Sequence, residues 1–84
     1  MNQIIKLNTI YSADLYTRSR ASELRACIIE EATEVTIDFE GIGFMSRSFA
    51  DEVFNIIDDN KNIIFEFINR NADIEAMMNV SKRV

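Results

Sequence analysis

Apolar positions fall into six short blocks along the chain, and their spacing changes from block to block. Ile4, Ile5 and Leu7, bounded by Asn2, Gln3 and Asn8, predict a short strand. Asn8–Tyr16 is mixed and reads as an irregular extended stretch. Ala21, Leu24, Cys27 and Ile28 then recur at helical spacing, with Thr17 or Ser19 as N-cap and an end near Glu31. Glu34–Phe39 alternates and is rich in β-branched residues, which predicts a second strand with Val35, Ile37 and Phe39 on one side. Gly41 and Gly43 follow it, where the backbone must turn or take positive φ.

A second helix opens at Ser48-Phe49-Ala50-Asp51. Ser48 and Asp51 have the spacing of a capping box, and Asp51 and Glu52 suit the positive end of the helix dipole. Phe49, Val53, Ile56 and Ile57 would line its buried side, and Asp58-Asp59-Asn60 would stop it. Asn62–Ile68 predicts a third strand, the most deeply buried of the three. Ala72–Met78 predicts a last helix, with Ile74, Met77 and Met78 apolar. Strand–helix alternation with such short connections implies right-handed crossovers and a small, largely parallel sheet covered by helices. The fold class is α/β, and no linker or repeat divides the chain.

Composition narrows the chemistry. The chain has 84 residues, so it buries only about 60 % of its unfolded surface and has little room for a deep active site. It has no His, the commonest general base and metal ligand. Its one cysteine, Cys27, excludes an intrachain disulfide and a cysteine zinc site. A free cysteine on an apolar helix side, with no basic-then-apolar leader, fits a reducing cytoplasm. No apolar run is long enough to span a membrane. The expectation is a protein that is not an enzyme and needs no cofactor and no metal.

Charge is uneven. Residues 1–29 carry four basic and two acidic side chains, and residues 30–84 carry five basic and twelve acidic ones. The short run Arg18–Arg25 is too small for a nucleic-acid stripe, and the acidic remainder repels phosphate. Polar side chains concentrate at one strand-to-helix junction: Ser46, Arg47, Ser48, Asp51 and Glu52, with Asp38 at the end of the preceding strand. Sites in open α/β sheets gather outside the carboxyl ends of strands, which makes Phe44–Glu52 the expected functional edge. Ser48 has no base to activate it as a nucleophile. Arg47 stands where a helix disfavours cations. It either pairs with Asp51 or Asp38 or anchors a partner's carboxylate or phosphate. Ile42, Phe44 and Met45 are either core plugs or a contact patch, and Met77–Met78 reads as core.

The segment Val35–Glu52 resembles the STAS domain of anti-sigma-factor antagonists. It resembles more closely a group of short bacterial STAS-like proteins with Ser48-Phe49-Ala50-Asp51-Glu52 after the second strand and an Arg-rich helix start, here Thr17–Leu24. The likeness covers about residues 4–80 and implies one STAS-like domain over residues 1–84. In the antagonists this loop reads roughly Phe-Met-Asp-Ser-Ser-Gly-Leu, and a histidine-kinase-like ATPase phosphorylates its first Ser. Phe44 and Met45 match, Ser46 replaces the Asp, Arg47 replaces the phosphoacceptor, Ser48 matches the second Ser, and Phe49 and Ala50 replace Gly-Leu. The resemblance therefore implies a regulatory module that binds a protein partner, such as that ATPase, through Asp38, Phe44, Met45, Ser46, Arg47, Ser48, Asp51 and Glu52. Phosphorylation would fall on Ser46 or Ser48. A nucleotide or small-anion binder using the second helix N-terminus is the alternative. A homodimer or larger homo-oligomer, joined through an exposed strand edge or the apolar loop, is another.

Overall fold

The computed structural model describes residues 1–11, 14–15 and 18–81, with side chains from residues 1–11 and 23–81. The elements are β1 (Asn2–Lys6), a 3-10 turn (Leu7–Thr9), β2 (Asp14–Leu15), α1 (Arg18–Cys27), β3 (Glu34–Asp38), β4 (Phe44–Met45), α2 (Arg47–Asp59), β5 (Ile64–Ile68) and α3 (Ala72–Ser81). β1, β3 and β5 form one parallel sheet in that order, and β2 pairs with β4 in a second, two-stranded parallel sheet. The chain is a small α/β domain.

The strand order advances in one direction. Right-handed crossovers that step the same way place their helices on the same side of the sheet. Burial agrees. Gln3, Ile5, Val35, Ile37, Phe65 and Phe67 share the inner side by register, and Ile5, Val35 and Ile37 are at most 5 % exposed. They meet Leu24 of α1, Phe49, Ala50, Val53 and Ile56 of α2, and Ile74 and Met78 of α3. α2 lies between α1 and α3 in the helical layer. Fully burying a side chain such as Phe49 contributes about 1.5–3 kcal/mol, and Phe49 also meets the Tyr11 ring edge-on at 5.3 Å.

The outer side carries Lys6, Glu34, Thr36 and Glu66 beside exposed Ile4 and Ile64. Helices therefore cover one side of the sheet rather than both, because no crossover reverses direction. The expectation for the third strand is also corrected. β3 is the central, most buried strand, whereas β5 is an edge with Ile64 67 % exposed. A continuous apolar run reads as interior, but strand order decides which run is central.

Local chemistry closes the N-terminal end of the sheet. The Gln3 side chain donates to the Cys27 carbonyl at 2.6 Å and accepts from the Ile29 amide at 3.1 Å, which ends α1 at Cys27, earlier than the spacing suggested. The Met1 amino group donates to Thr33 Oγ1 at 3.0 Å. Arg25 ties α1 to α2 through Asp59 at 2.7 Å and Glu52 at 3.9 Å. Thr17 lies outside the described residues, and Ser19 lies within α1 rather than at its cap. Asn8–Tyr16 resolves into the 3-10 turn and β2, with residues 12, 13 and 16 outside the described set. No described helix is long and apolar enough to cross a membrane.

Candidate functional site

The carboxyl ends of the strands carry a fixed polar scaffold beneath an exposed loop. Asp38 ends β3 and is only 5 % exposed. Its Oδ1 accepts from Asn69 Nδ2 and from the Glu40 amide, each at 2.9 Å. These bonds, led by the one from Asn69 and aided by the nearby Lys6 charge, hold its carboxyl below the ordinary value although burial opposes them. Asn69 takes φ 59°, the left-handed region that Asn tolerates better than most residues. Asp38 is thus the knot between β3 and the end of β5.

The chain then turns. The Ile42 amide bonds to the Phe39 carbonyl at 2.9 Å, and Gly41 occupies the third turn position with φ 81°. Of the two glycines only Gly41 takes this conformation, and a Cβ there would reach ordinary contact with the Asn8 side chain at 3.4 Å, so the positive φ is what favours glycine. Ile42 and Met45 point into the core at 4 % and 2 % exposure, whereas Phe44 is 41 % exposed. The apolar loop is therefore part plug and part surface, because the extended pair β4 sends alternate side chains to opposite sides.

α2 begins two residues earlier than the Ser48–Asp51 spacing suggested. Ser46, extended at φ −73° and ψ 161°, is the N-cap, and its Oγ accepts from the Phe49 amide at 3.1 Å. Pairing of β4 with β2 keeps the chain extended through Met45, so the first residue free to cap is Ser46. Ser48 is consequently an exposed first-turn residue, and Asp51 and Glu52 fall beyond the first turn. Glu52 faces Arg25 of α1 and accepts from Asn55 Nδ2 at 2.8 Å, away from the loop. Asp51 is half-buried on the same helix. Arg47 is exposed and forms no ion pair with Asp38, Asp51 or any other described residue.

Of the expected site residues, Phe44, Arg47 and Ser48 are exposed, Ser46 caps α2, and Met45 and Asp38 are buried. The structure also adds residues that the sequence reading left out. Asn71 caps α3 by accepting from the Ile74 amide at 2.9 Å, and its Nδ2 donates to the Ile42 and Gly43 carbonyls at 3.2 and 3.4 Å. One side chain therefore fastens the loop to α3. An Asn directly before an apolar helical run is a cap signal that the sequence displays. Phe44 and Met45 face Asp73, Ala76, Met77 and Val80 of α3 across an apolar groove of about 350 Å³. Met78 is core as expected, but Met77 is half-buried and lines this groove. Among the described residues no cluster of acidic or cysteine side chains could hold a metal ion.

No family model, curated protein or solved structure matches this chain.

Proposed function

We propose that the chain is a non-catalytic regulatory module that binds a protein partner, a histidine-kinase-like ATPase or a regulator of that kind, through the Phe44–Glu52 segment and α2. This reading rests on the likeness of that segment to the loop of anti-sigma-factor antagonists. The observation that carries it is Arg47, an exposed cation at the start of α2 with no ion-pair partner among the described residues, next to the exposed Phe44 and Ser48. Arginine is among the residue types that dominate binding energy at interfaces, and Phe44, three positions earlier in the chain, is 41 % exposed. The strand order supports a surface rather than a ligand crevice. Among the described strands it never reverses, so they form no switch point of the kind where α/β folds bind small molecules. If the segment is phosphorylated, Ser48 is the suited residue, since the Ser46 hydroxyl already serves the Phe49 amide.

The test is paired affinity capture from the source organism, with wild-type and Arg47→Glu baits, followed by titration of the protein recovered. An ATPase or regulator retained by the wild type should lose at least about tenfold in affinity, about 1.4 kcal/mol, with Arg47→Glu. Equal binding of both baits removes Arg47 from the interface. A rise in melting temperature with a nucleotide panel would instead favour the anion-binding reading.

A further inference from the structure

We draw no further inference here: the strongest candidate, the outer side of the β1–β3–β5 sheet with Ile4 and Ile64 exposed beside Glu34 and Glu66, carries nothing because nothing in the structure shows what covers it.

Discussion

α2 and α3 are neighbouring helices with opposite allocations of apolar surface. α2 buries Phe49, Ala50, Val53 and Ile56, all at most 2 % exposed, packs Phe54 and Ile57 half-buried beside them, and is otherwise polar or charged. α3 divides its apolar residues between the core, through Ile74 and Met78, and the groove, through Ala76, Met77 and Val80. The cause is position in the layer. α2 is flanked by α1 and α3, whereas α3 ends the row of helices and packs against α2 and β4. The middle helix places its apolar residues in the core, and the terminal helix leaves Val80 58 % exposed.

Truncation should separate the two helices most sharply. Phe49→Ala should cost about 3–5 kcal/mol in urea unfolding, a large share of a small domain's stability. Val80→Ala should change it by no more than about 0.5 kcal/mol. Equal losses would erase the contrast. Cap deletions refine it. Ser46→Ala should cost α2 about 1 kcal/mol. Asn71→Ala should cost more, about 1–2 kcal/mol, because it removes a cap and also unties the Ile42 and Gly43 carbonyls. An Asn71→Ala loss no larger than that of Ser46→Ala would mean that the loop is not fastened through α3.

The smallest effect concerns the knot between β3 and the end of β5. Asp38 has a lowered value when folded, so its charge stabilises the fold above the ordinary 3.8 and that contribution is lost as pH falls through the folded value. The stability gap between wild type and Asp38→Asn should be full at neutral pH and should close in the acid range below 3.8. Denaturation titrated against pH measures it. A gap that persists unchanged into strong acid would show that shape, not charge, makes Asp38 useful.

Much of this was written in local pattern. Alternation over Glu34–Asp38 and helical spacing from Phe49 to Ile56 are set by neighbours a few residues away, and both segments take the expected structure, although α2 starts earlier. Gly41 likewise follows from the need for positive φ at a tight turn. The two-residue pair β2–β4 was not legible, since two residues have no periodicity. That pairing is what moved the cap from Ser48 to Ser46 and left Ser48 exposed. Asn69 and Asn71 gained their roles from atoms some 30 positions away, at Asp38, Ile42 and Gly43.

By itself the sequence determined the α/β alternation, the absence of His, and the concentration of polar residues between Phe44 and Glu52, because composition and short-range periodicity need no partner. Only the tertiary structure decided that β5 is an edge, that Asp38 is a buried knot, and that Met77 and Val80 line a groove beside Phe44. Those outcomes depend on which strand lies in the middle and which helix ends the layer, and strand and helix order arise from contacts between residues far apart in the chain.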